Sequence, residues 1–242
     1  MSGVFGVVDP HHRVDAAELA GKMAASLTHF AWHVAQWHDD AAVNAAIGRV
    51  GIGGFNLNPQ PVWNADHTVA VCLAGELYGP NRSGTNPNSP VGATTDEQRL
   101  LDLYARHGLD FVCSVEGAFV CVILDLTQRR LVLANDRFAF YPAYYGQQNG
   151  RLVFGPEMKV VLLDPGFNRR IDLTALAQSM RFQQVLGERT FFDDIKLLPP
   201  GSRLVCDLDT AHATVSPYWS FSDIPYQPKV SFGEAVEEGG RL

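Results

Sequence analysis

Between Gly117 and Gly155 the chain reads as short apolar or alternating runs, Gly117 to Asp125, Arg130 to Asn135, Tyr141 to Gly146 and Arg151 to Gly155, parted by Asp, Asn, Gln and Gly. A two-residue period broken by turn formers admits neighbouring strands and leaves no room for a long helix. The spacing predicts an antiparallel meander. Such strands need covering layers, and the flanking sequence supplies them. Asp15 with Glu18 opens an amphipathic helix over 16 to 28 in which Leu19, Met23 and Leu27 recur, and Thr95 with Gln98 opens another that carries Leu100, Leu101 and Tyr104 and stops at Gly108. Helices are also expected over Glu157 to Leu163 and Asp172 to Arg181. Residues 48 to 57 and 68 to 74 read as strands, and 202 to 207 pairs with 213 to 219 as a last hairpin after Pro199-Pro200-Gly201.

The chain opens on a further strand, Ser2-Gly3-Val4-Phe5-Gly6-Val7-Val8-Asp9, in which Gly3 and Gly6 allow a close neighbour. If Met1 is removed, Ser2 carries a hydroxyl nucleophile and a free α-amine able to act as its base. Many chains also begin Met-Ser and run into a strand without any such chemistry. From Gly79 to Thr95 lies a Pro-, Asn- and Gly-rich stretch, read as a surface loop that is either a lid or ordinary solvent-facing chain.

Composition removes several classes. A formal net charge of -7 without any Lys/Arg-rich run leaves no footprint for nucleic acid or an anionic membrane. The longest apolar run, Phe119 to Leu124, is too short to span a bilayer. The expectation is a soluble cytoplasmic protein whose partners are small molecules or protein. Cys72, Cys113, Cys121 and Cys206 lie in apolar segments without C-x-x-C spacing and are read as reduced core thiols. His29, His33 and His38 lack the carboxylate pattern of a metal site, so none is expected. The tail from Ser220 is linker-like before Ser231 with Glu234 caps another helix, which divides the chain into a domain over 1-219 and, over 220-242, a linker with the start of a second domain.

Nine segments in order carry a resemblance: Ser2 to Val7, Gln60-Pro61-Val62-Trp63-Asn64, Gly75-Glu76-Leu77-Tyr78, Thr95-Asp96-Glu97, Glu116 to Phe119, Asn135 to Phe138, Pro142 to Tyr145, Phe154 to Lys159 and Lys196 to Gly201. Together they resemble the class II glutamine amidotransferase domain at the N-terminus of asparagine synthetases. The resemblance implies an α+β fold, the four-layer αββα sandwich of Ntn hydrolases, and no cofactor in this domain. It also implies, as partner, the chain's own C-terminal synthetase domain, which uses ATP and magnesium to adenylate a carboxylate and whose substrate is a small amino acid or peptide. That domain's Ser-Gly-Gly-x-Asp-Ser loop is absent from these residues.

The resemblance further implies site residues. Arg49 falls on the arginine that clamps the glutamine carboxylate, while Gly75, Glu76 and Asp96 match retained binding positions of which the two carboxylates, Glu76 and Asp96, hold the substrate amine; a helix-start Asp also has structural uses. Three departures stand against them. Ser2 replaces the family's nucleophilic cysteine, Ala74 replaces the asparagine of its oxyanion hole, and Phe30-Ala31-Trp32-His33 replaces its Arg-Gly-Pro-Asp. The expectation is a non-hydrolytic scaffold of an amide-forming ligase, as in beta-lactam synthetases and lasso-peptide cyclases. The alternatives are a working glutaminase that uses Ser2, and a module that binds an amino acid without cleaving it.

Overall fold

The computed structural model describes residues 2–54, 58–78, 94–224 and 230–241. In chain order the elements are β1 (Gly3–Val8), α1 (Ala16–Leu27), β2 (His33–Asp40), β3 (Ala45–Ile52), β4 (Val62–Trp63), β5 (Val69–Leu77), α2 (Asp96–His107), β6 (Gly117–Asp125), β7 (Arg130–Asn135), β8 (Tyr144–Gln148), β9 (Arg151–Gly155), α3 (Met158–Val161), α4 (Leu173–Phe182), β10 (Lys196–Leu197), β11 (Ser202–Asp207), β12 (Ala213–Pro217) and α5 (Phe232–Gly239). They build two six-stranded antiparallel sheets, ordered β10-β8-β9-β1-β3-β2 and β12-β11-β7-β6-β5-β4.

Alternation along the strands sorts the apolar side chains into three cores. Val4, Ile47, Cys72, Ala74, Val122, Leu133 and Phe154 fill the space between the sheets. Phe5, Val7, Met23, Val50 and Val160 join the first sheet to α1 and α3. Leu73, Leu100, Leu101, Tyr104 and Phe119 join the second sheet to α2. The result is the expected four-layer αββα sandwich.

The meander expected from Gly117 onward is not what forms. β7 pairs with β6 and β11, whereas β8 pairs with β9 and β10 in the other sheet. The crossing is made by Asn135 and Asp136. Asp136 accepts hydrogen bonds from the N–H groups of Phe119, Phe138 and Phe140, and Asn135 bonds Leu198, Pro199 and Ser202. A two-residue period marks a strand but not the sheet that receives it, and these side chains decide.

Smaller differences have equally local causes. β2 carries no strand signature in the sequence because His, Gln and Asp hide the alternation of a half-exposed edge strand. β3 starts at Ala45 and ends at Ile52, β5 runs on to Leu77, and α3 is a single turn. Gln98 does not close a capping box but reaches Asp102 at 3.4 Å, and Glu18 pairs with Lys22 instead. Of the surface loop read over 79 to 95, residues 79 to 93 lie outside the described residues. Among the described residues no helix is long and apolar enough to cross a membrane.

β1 is tied down at its C-terminal end by charge. Buried Arg151 at the start of β9 forks onto Asp164 and lies 3.7 Å from Asp9, both carboxylates being fully buried. Asp9 also accepts the N–H of Val14, and Asp164 that of Gly166.

Cysteine placement corrects one expectation, since Cys113 is exposed while Cys72, Cys121 and Cys206 are buried. Burial pushes the Cys121 and Cys206 thiols up to about 12 and raises Cys72 as well. Because the thiolate is the reactive form, Cys113 alone should titrate promptly with a disulfide reagent in the native protein at pH 8, and the other three only after denaturant is added. Prompt reaction of more than one thiol per chain would contradict this packing.

Candidate functional site

The space between the sheets is apolar except at one end. On β3, Ala45 and Ile47 point into it, and strand alternation sends Arg49 the same way, where it is 4% exposed. From the facing sheet β5 contributes Ala70, Cys72 and Ala74, with Glu76 on the same face at the exposed end of the strand. Val4 of β1 stands opposite Arg49, and Gly3 opposite Val50. Ser2 is the next residue and is half-buried. The Arg49 guanidinium lies over Gly51, where an added Cβ would sit 3.1 Å from Nη2, so it reaches along β3 to the rung that Ser2 continues.

Burial lowers the Arg49 guanidinium from its ordinary value, and the strongest charge opposing that shift is Glu97. Glu97 is 1% exposed. It accepts from Gln60 Nε2 at 2.6 Å and from Asn58 Nδ2 at 3.4 Å. Gln60 is itself fixed, because its Oε1 accepts the Leu73 N–H at 2.8 Å and its own N–H donates to Gln36 Oε1. Gln36 is the register partner of Arg49 across β2 and β3. Gln36, Gln60, Asn58 and Glu97 therefore form one polar network beside Arg49, and burial without such pairing would be costly.

Asp96 serves the frame. Its Oδ2 accepts the Leu77 N–H at 3.0 Å and its Oδ1 lies 3.4 Å from Arg99, so it clamps the end of β5 to the start of α2. Gly75, with φ +109°, has no space for a side chain, since a Cβ would meet the Ala118 carbonyl oxygen at 2.1 Å and Tyr141 at 2.8 Å. Ala74 beside it offers that face a methyl group and no donor.

The segment after α1 packs beside the start of β1. Phe30 and Trp32 stack at 4.6 Å and are exposed, and the Trp32 carbonyl accepts the Gly53 N–H at the end of β3. The His29 N–H donates to His33 Nδ1, and His29 Nε2 lies 2.9 Å from Glu157, the residue after Pro156, which fills the space above Gly3. Burial would raise the Glu157 carboxyl, but His29 and Lys159 hold it below its ordinary value. Among the described residues no group of three or more His, Cys, Asp or Glu is placed to hold a metal ion.

Of the residues expected at the site, Arg49 enters the cleft, Gly75 and Glu76 stand on the strand opposite, Asp96 secures that strand, and Ser2 precedes β1. Gln60 and Glu97, which stand beside these residues, are not marked by the sequence expectation. A signal for Glu97 existed, because it falls in line with Leu100, Leu101 and Tyr104 on the buried face of α2.

A family model described as a glutamine amidotransferase domain matches residues 1–219. Asparagine synthetase [glutamine-hydrolyzing] 2 of Bacillus subtilis is 26% identical over 93% of this chain and 31% of its own length. Amidase chyE of Penicillium rubens is 28% identical over 82% of the chain and 30% of its own length. The chain thus spans about a third of the curated relatives it matches. Among solved structures, the glutamine phosphoribosylpyrophosphate amidotransferase of B. subtilis, complexed with ADP and GMP, superposes with a TM-score of 0.59 at 15% identity, over 90% of this chain and 49% of that one. That likeness concerns the fold.

Proposed function

The chain belongs to the glutamine amidotransferase domain family, and from that premise we propose that it is a non-hydrolytic, glutaminase-like scaffold within an asparagine-synthetase-like, ATP-dependent amide-forming ligase of the beta-lactam or lasso-peptide type. Ala74 carries the reading. Amide hydrolysis passes through a tetrahedral oxyanion that needs hydrogen-bond donors, and the loss of one donor typically costs about 100- to 1,000-fold in turnover. The family's donor position on β5 is here a methyl group facing the cleft. Ser2 compounds this, since a hydroxyl is a weaker nucleophile than a thiol at neutral pH.

The partner in this proposal is a synthetase domain that follows 1-219 and begins within 220-242. It takes ATP and magnesium, and the substrate joined there is a small amino acid or peptide. In this proposal the nucleotide chemistry belongs to that synthetase domain, and this chain contributes packing surface.

Ammonia release from glutamine by the full-length protein tests the proposal. The unmodified protein should release none above background, and the double variant Ser2→Cys, Ala74→Asn should release more. Ammonia from the unmodified protein that vanishes in Ser2→Ala would overturn the scaffold reading and make Ser2 the nucleophile of a working glutaminase, with Arg49, Glu76 and Asp96 holding its substrate.

A further inference from the structure

Four aromatic rings gather on the surface where the chain crosses between the sheets. Phe138 and Phe140 come from the crossing segment between β7 and β8, and Trp219 and Phe221 from the residues that follow β12. Their centroids lie 5.9 Å apart for Phe138 and Phe140, 5.7 Å for Phe138 and Trp219, 6.1 Å for Phe138 and Phe221, and 4.9 Å for Trp219 and Phe221, the spacing of favourable ring pairs. Packing together does not take them out of water, since Phe138, Phe140 and Phe221 remain 55%, 67% and 70% exposed. Single exposed rings are ordinary, but a contiguous group of them marks an interaction surface.

The group is held from both sides. The Asp136 carboxylate accepts the N–H groups of Phe138 and Phe140. Tyr218 and Trp219 both donate their N–H groups to the Gly201 carbonyl, and the Tyr218 hydroxyl donates to the Asn135 carbonyl at 2.7 Å. Ser220 and Asp223 then close a reciprocal cap around Phe221. The crossing segment begins beside Gly75, whose absent Cβ would lie 2.8 Å from Tyr141, and ends at Tyr144, which pairs with Gly155 one residue before the Pro156 above Gly3. The rings therefore sit at the end of the sandwich that carries Ala74, Glu76 and Ser2.

The chain itself points to what covers them. Half of the surface is built from residues on their way out of the domain, so whatever they lead to begins in contact with it. Ten residue steps separate Phe221 from Ser231, the cap of α5, a reach of at most about 35 Å. Within α5 no residue is buried, and Phe232 and Val236, four apart on one face, are 87% and 56% exposed. An apolar helix face of this kind joins a core, here that of a domain beginning at α5. A domain on so short a tether meets the four rings at an effective concentration on the order of millimolar.

We propose that Phe138, Phe140, Trp219 and Phe221 form the seat on which the domain that follows this one docks, with the linker's own two rings supplying half of the contact. This rests on the reading that a synthetase domain follows 1-219.

Hydroxyl-radical footprinting of the full-length protein tests the seat, with the urea-unfolded protein as reference. Phe138, Phe140 and Phe221 should oxidise at least about fivefold more slowly than in the unfolded chain, which corresponds to cover for about four-fifths of the time. Smaller protection would overturn the proposal, and so would protection that falls on dilution, which assigns the surface to a second copy. The double variant Phe138→Ser, Phe140→Ser should bring Phe221 to within about twofold of its unfolded rate. Phe5 and Phe111, both fully buried, should stay protected in it as the sign of an intact fold. No gain at Phe221 in the folded variant would overturn the proposal. Should Phe5 and Phe111 lose protection, Phe140→Ser alone takes its place and the same gain is required. A full-length protein whose measured mass is that of residues 1–242 alone would overturn both the seat and the reading it rests on, whereas ammonia release from glutamine would remove only the scaffold role.

Discussion

Arg151→Met is expected to destabilise the domain by about 3–5 kcal/mol, enough to remove much of the roughly 5–15 kcal/mol that holds a domain folded. Methionine fills the space of the arginine stem but leaves Asp9 and Asp164 buried without a cation. Their N–H donors, from Val14 and Gly166, satisfy geometry and leave the charge uncompensated. Asp164→Asn should cost less, since Arg151 keeps Asp9 within 3.7 Å. Urea unfolding of the three proteins checks the order. Equal midpoints for Arg151→Met and the unmodified protein would show that the ion trio does not hold β1 in place.

Gly75→Ala is the second large effect. The residue sits at φ +109°, a conformation that costs a non-glycine residue about 1–3 kcal/mol. The new Cβ would also lie 2.1 Å from the Ala118 carbonyl oxygen and 2.8 Å from Phe119 Cα, so β5 and β6 would have to part, at a further cost of about 1–3 kcal/mol for overpacking. Gly187→Ala separates the two contributions, because Gly187 also has positive φ, +71°, but nothing within 4 Å of its missing Cβ. The expected result is a loss of about 2–6 kcal/mol at Gly75 against about 1–3 kcal/mol at Gly187, read from thermal or urea unfolding. Similar losses at both positions would mean that strain alone acts, and that β5 can shift without harm to the face carrying Ala74 and Glu76.

Much of this architecture was legible in the chain. The caps at Asp15, Thr95 and Asp172 and the four-residue spacing of Leu19, Met23 and Leu27 specify helices through contacts a few residues long. The same holds for the hairpins β6–β7 and β11–β12, whose strands are neighbours in sequence as well as in the sheet. The departures at Ser2 and Ala74 are likewise matters of residue identity that no folding could alter.

Long-range choices were not legible. Whether β8 followed β7 into its sheet depended on Asn135 and Asp136 meeting backbone from Phe119 and from Leu198 to Ser202, groups that the local pattern does not bring together. β2 was hidden because one of its faces is polar, although its place beside β3 is set by a continuous register from His33 to Asp40. The burial of Glu97 could be inferred from the face of α2, yet not the Gln60 and Asn58 amides it would meet. Periodicity encodes which side of an element leaves water, because that is settled by each side chain's own transfer from solvent. It cannot encode which distant side chain waits there, and only the tertiary fold brought the Gln60 amide onto the buried Glu97 carboxylate.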